Sequence, residues 1–112
     1  MGSETLRQPT YFILAALLEG PLHGYGIIKR VDELTGGELR LRAGTLYAAL
    51  DRLVDEGRVV ADREEVVSGR LRRYYRLTTE GRAILTAEAA QLRRAAHVVL
   101  SSREQTLVAA TP

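Results

Sequence analysis

The chain of 112 residues contains no cysteine, no tryptophan and only two histidines. Without cysteine it has no disulfides, thiolate nucleophiles or cysteine zinc ligands, and imidazole chemistry is limited to His23 and His97. Neither histidine forms a recognisable metal spacing with nearby acids. We also find no nucleophile and base at useful spacing, no phosphate-binding loop and no paired carboxylates. The sequence therefore predicts a protein that is not an enzyme and needs no metal or cofactor.

Long hydrophobic runs are also absent, since no apolar segment approaches the roughly 20 residues that cross a bilayer. The segment 1–8 is mixed and polar, unlike an export leader, so we expect a cytoplasmic protein. The length is enough for one compact core with an appendage, and too small for a separate catalytic domain.

Arginine, in contrast, is abundant: the chain has 16 basic residues, of which only Lys29 is a lysine. Four arginines and no acid lie between Arg70 and Arg76, although the formal net charge of the whole chain is only +2. A guanidinium group can hold phosphate or guanine with two hydrogen bonds. Taken alone, such a run is more often a solvated face, so its meaning depends on the elements around it.

The pattern of apolar residues predicts helices over 10–19, 24–35 and 43–56, with a short strand over 38–41 between the second and third. Two β-prone segments, 59–67 and 71–77, flank Ser68-Gly69-Arg70 and predict a hairpin with a tight turn. This order predicts an α+β, mainly α, fold: a winged helix-turn-helix DNA-binding domain over 1–78. Thr78 or Thr79 is expected to cap a last helix.

The last predicted helix, over 79–104, has apolar residues at alternating steps of four and three, as in a coiled coil. Such a seam needs a partner, so we expect a homodimer interface. The alanines favour close packing of two helices, although they are also compatible with a cavity for a ligand. The tail 105–112 has no charged side chain and is expected to fray. The predicted interface residues are Leu85, Ala89, Leu92, Ala96 and Val99.

The third helix is the one expected to enter a major groove, and its first turns carry small or polar residues away from the leucine face. Gly44 allows close approach of the backbone, Thr45 can bond to a base edge or phosphate, and Ala48 can touch a thymine methyl group. Tyr47 and Arg52 are candidate phosphate anchors. Later turns carry carboxylates, which repel phosphate, so contact is expected near the start of the helix.

The hairpin is the candidate wing. Arg70 lies at its turn, and Arg72 lies on the same strand face as Tyr74, where an extended basic hairpin can follow the sugar-phosphate chain. Arg73 shares the other strand face with Tyr75. Of the three candidate DNA contacts, Arg73 is therefore the one with the least support.

These segments resemble the PadR family of bacterial regulators. The matching residues span most of 10–81: Leu22-His23-Gly24-Tyr25, Gly44-Thr45-Leu46-Tyr47 with Leu50, Arg52-Leu53 and Gly57, and Gly69-Arg70 with Arg73-Tyr74-Tyr75-Arg76-Leu77-Thr78 and Gly81. The resemblance implies a dimeric winged-helix repressor, of the compact subgroup with one C-terminal helix, that responds to a small aromatic or toxic molecule. Some short relatives hold flat drugs with tryptophan. This chain has no tryptophan, so we do not expect that mode of ligand binding here.

Two positions depart from the family pattern. Arg42 and Ala43 stand where the family commonly has serine and proline, which removes a side-chain N-cap and adds a cation beside the DNA. Arg42 is therefore a further candidate DNA contact. Leu71 stands where the family often has proline, which leaves the path of the wing open.

The sequence thus predicts a transcriptional regulator that binds double-stranded operator DNA as a homodimer, as a repressor released by a small-molecule effector. The alternative is a protein-interaction module that uses the winged surface and the helical seam. His23, at a helix start, is expected to cap or pack.

Overall fold

A computed structural model describes the backbone of residues 6–110 and the side chains of residues 6–102. The predicted order of three helices, a hairpin and a last helix is confirmed, as is the α+β, mainly α, fold class. No helix in this part of the chain is long and apolar enough to cross a membrane. In chain order the elements are α1 (Gln8–Ala16), β1 (Leu22–His23), α2 (Gly24–Leu34), α3 (Ala43–Asp55), β2 (Val59–Val67), β3 (Arg70–Leu77) and α4 (Thr79–Ala110).

The core lies where the first three helices meet the base of the sheet. Each helix contributes branched aliphatic residues at spacings of three and four, so that they share one face. Burial of each such side chain contributes roughly 1.5–3 kcal/mol before the entropy cost of folding. The most completely buried side chains are Ile13, Leu14, Leu17, Ile27, Val31, Leu46, Leu50, Leu53 and Val59.

The hairpin is closed by a two-residue turn, Ser68-Gly69, and both residues have positive φ angles of 52° and 77°. This is the backbone of a type I′ turn, whose twist matches that of the flanking strands. The sequence analysis predicts Arg70 within the turn. In the structure Arg70 is instead the first residue of β3 and pairs with Val67, because a type I′ turn needs only two residues.

The short strand predicted over 38–41 is wrong, since these residues form no strand, although Leu41 is buried in the core. The third strand of the sheet is β1, which pairs antiparallel with β3 in the order β1-β3-β2. Leu22 lies opposite Tyr75, and His23 opposite Tyr74. A strand of two residues depends on the free edge of β3, so its own sequence pattern carries almost no signal.

The long helix α4 is capped by Thr78, whose hydroxyl accepts a hydrogen bond from the Gly81 amide at 3.0 Å and donates to the Gly57 carbonyl at 2.7 Å. The cap predicted at Thr78 or Thr79 is therefore Thr78. Gly81 lies against the Arg58 carbonyl so closely that a Cβ there would overlap it. These contacts anchor the first turn of α4 to the end of α3 and the base of the wing.

Beyond its first turns, α4 leaves the core. Leu85 and Glu88 are buried, whereas every side chain from residue 91 to residue 100 is exposed. The predicted helix ended at residue 104 and was followed by a tail over 105–112. The helix in fact continues to Ala110, and residues 111–112 lie outside the described part of the chain.

Candidate nucleic-acid interface

The first turn of α3 is exposed and uncapped. Arg42 is its N-cap residue, has an extended backbone and makes no side-chain cap hydrogen bond, as the sequence predicted. Gly44, Thr45 and Ala48 are also exposed, and a Cβ built on Gly44 would meet nothing within 4 Å. The first turn of α3 therefore lies among exposed residues and has, within the described part of the chain, no side-chain cap for its first amide groups, which leaves the positive end of the helix suited to a phosphate.

Tyr47 lies on the flank of the same helix and is 43% exposed. Its ring and hydroxyl lie over Gly24, the first residue of α2, so closely that a Cβ at Gly24 would overlap the hydroxyl. Besides being a candidate phosphate anchor, Tyr47 thus sets how α3 sits against α2.

Arg52, predicted as a phosphate anchor, points back toward α1. Its guanidinium donates a hydrogen bond to the hydroxyl of Thr10 at 3.0 Å, and Thr10 is 7% exposed. Arg52 itself is exposed, so this hydrogen bond contributes about 1 kcal/mol, and releasing the guanidinium to reach DNA would take this donor from the Thr10 hydroxyl. The structure therefore favours a structural role for Arg52.

The three candidate arginines of the wing lie in different environments. Arg70 is exposed beside the turn, and it makes no ion pair or hydrogen bond within the described residues. Arg73 is also exposed, but its guanidinium forms a hydrogen bond with the Tyr75 side chain and pairs with Glu64 on β2 at 3.4 Å. Arg72 is only partly exposed, and its Nε is buried without a hydrogen-bond partner in the described part of the chain. Arg70 is thus the most available of the three.

His23 joins the wing to the start of α2. Its Nδ1 accepts a hydrogen bond from the Gly26 amide at 3.2 Å, so the prediction that His23 caps or packs is confirmed. The imidazole also packs edge-on against Tyr74, with ring centroids 5.2 Å apart. Burial, and then the positive charge of Arg72, lower the pKa of His23. The imidazole is therefore held in its neutral form, which Nδ1 needs in order to accept.

Sequence reasoning missed the acids opposite the wing arginines. On β2, Asp62 pairs with Arg76 at 3.1 Å and with Arg63 at 2.9 Å. Glu65 pairs with Arg63 at 2.8 Å. Hydrogen bonds with these arginines lower the pKa of both carboxyl groups. The signal was present in the sequence, because the register of a hairpin with a two-residue turn places Glu64 directly opposite Arg73.

The predicted dimer seam divides into two parts. Leu85, assigned to that seam, is 4% exposed and belongs to the core of its own protomer, because the first turns of α4 pack on α1. Ala89 is partly buried, and Ala96 is exposed. Leu92 and Val99 are 48% and 66% exposed, and the neighbouring Val98 and Leu100 are apolar and exposed as well.

Three helices, a β-hairpin and an exposed third helix define a winged helix-turn-helix protein. The family model described as "Transcriptional regulator PadR-like family" matches residues 13–87. The chain therefore belongs to the PadR-like family of transcriptional regulators, and the predicted membership is confirmed.

Individual relatives agree with this family. A transcriptional regulator of Mycobacterium tuberculosis is 37% identical over 94 residues, which cover 84% of this chain and 84% of that protein. A transcriptional regulator from Clostridium thermocellum superposes with a TM-score of 0.69 at 27% identity, over 82% of this chain and 89% of that one. Bacillus subtilis PadR, solved in complex with operator DNA, superposes with a TM-score of 0.64 at 29% identity. That match covers 72% of this chain and 46% of the B. subtilis chain.

Proposed function

We propose that this protein binds double-stranded operator DNA as a homodimer and represses transcription until a small-molecule effector releases it. The observation that carries DNA binding is the first turn of α3, where small and polar residues are exposed and no side chain of the described residues caps the backbone amides. The B. subtilis PadR structure, in complex with operator DNA, supports the same partner for this chain.

On α3, we assign Thr45 and Ala48 to base edges in the major groove, where hydroxyl and methyl groups recognise different bases. Gly44 lets the backbone approach closely, and Arg42 binds a phosphate beside the helix start. Tyr47 contributes a phosphate contact from the flank while it holds α3 against α2. Arg52 donates a hydrogen bond to Thr10 and so links α3 to α1.

On the wing, we assign the main phosphate contact to Arg70, which is exposed next to the turn and unpaired within the described residues. Arg72 can contribute only if its partly buried side chain turns outward. Arg73 can contribute only by exchanging Glu64 for a phosphate.

The homodimer is proposed to form along α4, through Ala89, Leu92, Ala96 and Val99. Leu92, Ala96 and Val99 are exposed and Ala89 is only partly buried, which supports this interface, because apolar side chains in a coiled-coil pattern are stabilised when a second helix covers them. Two copies related by a two-fold axis would then present two α3 helices to an operator with matching half-sites. A regulator that reads chromosomal DNA acts in the cytoplasm, which is the location we propose.

DNA binding is tested by titrating a labelled duplex from the gene's own promoter, and a scrambled duplex, by fluorescence anisotropy at about 50 and about 200 mM salt, because phosphate contacts weaken steeply with salt. We expect preference for the promoter duplex and a loss of affinity in Thr45→Ala and Arg70→Ala. Arg30→Ala, which removes a half-exposed arginine from α2, is the matched control. Absence of binding to either duplex would contradict the proposal and favour a protein-interaction module.

A further inference from the structure

The two strands of the wing carry opposite charges. β3 contributes Arg70, Arg72, Arg73 and Arg76, while β2 contributes Asp62, Glu64 and Glu65 together with Arg63. Antiparallel pairing places Glu64 opposite Arg73 and Glu65 opposite Arg72. Cross-strand pairs of opposite charge stabilise each other, so the acids of β2 compete with DNA phosphates for the arginines of β3.

The ion pairs show which arginines are already engaged. Arg73 pairs with Glu64 at 3.4 Å and also forms a hydrogen bond with the Tyr75 side chain, and Arg76 pairs with Asp62 at 3.1 Å. Glu65 lies opposite Arg72, yet its carboxylate binds Arg63 on its own strand at 2.8 Å. Arg63 in turn stacks on the ring of Tyr74, 4.3 Å from the ring centroid, which fixes its position. The charge of the wing that is unpaired among the described residues therefore lies at Arg70, which is exposed beside the turn, and at Arg72, which is only partly exposed.

We propose that Glu64 and Asp62 hold Arg73 and Arg76 within the wing, and that these two acids thereby set the strength of its phosphate binding without touching DNA. This inference rests on the proposed function and assigns new residues to the same site. Binding that does not depend on DNA sequence comes mainly from phosphate contacts. Each neutralised phosphate makes the plot of log binding constant against log salt concentration steeper by about 0.9. Two restrained arginines thus limit the affinity of the protein for every DNA, operator or not.

The first test is Glu64→Gln, which keeps the shape of the side chain and removes its charge. The Glu64 side chain is 48% exposed, so the variant is expected to fold, which circular dichroism checks. On a scrambled duplex we expect tighter binding, by on the order of tenfold at about 50 mM salt and about threefold at about 200 mM for each wing that engages the duplex, with a slope steeper by about 0.9 per wing. Asp62→Asn should change affinity in the same direction by releasing Arg76.

A control for general charge is Glu33→Gln on α2. Glu33 pairs with Arg30 at 3.4 Å and is 51% exposed, which closely matches Glu64 in distance and exposure, but it lies outside the wing and α3. It makes the same change in net charge, so we expect a gain of less than about twofold on the same duplex. Equal gains in Glu33→Gln and Glu64→Gln would overturn the inference.

The decisive variant removes the whole ion pair, Glu64→Gln with Arg73→Gln, at constant net charge. If Arg73 does not contact phosphate in the wild-type protein, the pair-deleted protein should bind the scrambled duplex with wild-type affinity and slope. A weaker affinity and a shallower slope would mean that Arg73 already contacts phosphate, and would overturn the inference. Failure of the wild-type protein to bind any duplex would overturn the proposed function instead, and this inference with it.

Discussion

The phenol ring of Tyr47, on the exposed helix α3, lies directly over Gly24, the first residue of α2. Any residue other than glycine at position 24 requires the ring to move, because its Cβ would overlap the hydroxyl. The contact joins the two helices of the helix-turn-helix near the surface proposed to meet DNA. The angle at which α3 is presented therefore depends on a glycine that touches no ligand.

Gly24→Ala is expected to push Tyr47 aside and to weaken promoter binding, because the added methyl group overlaps the phenol. The free energy of unfolding should fall by only about 1 kcal/mol, the low end of the overpacking range, since the exposed ring can turn away. Urea denaturation and fluorescence anisotropy measure the two effects. Gly26→Ala, on the same helix, is the control, since its Cβ would lie 3.5 Å from Leu22 at ordinary contact distance. Equal losses in the two variants would contradict the role given to Tyr47.

Stability is expected to depend on pH through His23. Its pKa in the folded protein is lowered from 6.5, so the unfolded chain takes up a proton at a higher pH than the folded protein does. The free energy of unfolding should therefore be constant above the unfolded pKa and fall as pH decreases through about 6.5. It should level off again below the folded pKa of His23.

Urea midpoints measured between about pH 8 and about pH 5 test this dependence. His23→Asn keeps an N-capping side chain and removes the titration, so its midpoint should vary less over that range. His97→Asn is the matched control, because His97 is exposed on α4 and bonds only with Ser101 within the described residues. If wild type and His23→Asn showed the same pH profile, the link between His23 and stability would be wrong.

Arg52→Ala is expected to lower the free energy of unfolding by about 1 kcal/mol, because the buried hydroxyl of Thr10 loses this donor. Its effect on promoter affinity should be smaller than that of Arg70→Ala. A double-mutant cycle with Thr10→Val isolates the pair, and additive effects on the unfolding free energy would show that the 3.0 Å hydrogen bond contributes nothing. A loss of affinity equal to that of Arg70→Ala would restore Arg52 as a DNA contact.

Leu85 and Leu92 are about two turns apart on α4. Substitutions at the two positions are expected to change different properties of the protein, stability at Leu85 and dimerisation at Leu92. Leu85→Ala should cost about 2–5 kcal/mol of stability, since it opens a cavity in a core position that is 4% exposed. Leu92→Glu should leave each protomer folded and shift the dimer toward monomer, because it places a charge in the proposed seam. Native mass spectrometry and thermal unfolding separate these outcomes. Gln91→Glu is the control, and a Leu92→Glu protein as dimeric as Gln91→Glu would contradict the seam.

The bounds of α2 and α3, and the two strands of the wing, were predicted closely from the sequence, because these elements have strong local signals. Apolar residues at spacings of three and four identify each helix, and Ser68-Gly69 marks the turn. The predicted strand over 38–41 was wrong for the opposite reason. β1 is held by the free edge of β3, and Leu41 is held by the core, so neither segment is specified by its own pattern.

The amino-acid sequence by itself determined the winged helix-turn-helix fold, the family and the exposed start of α3, because periodicity and motif spacing are properties of neighbouring residues. Only the tertiary structure decided which charged side chains remain available. It turned Arg52 toward Thr10, placed Glu64 within reach of Arg73 and buried Leu85 in its own protomer. The physical reason is that a side chain's availability depends on partners far away in sequence, which are brought within a few ångströms only when the chain folds.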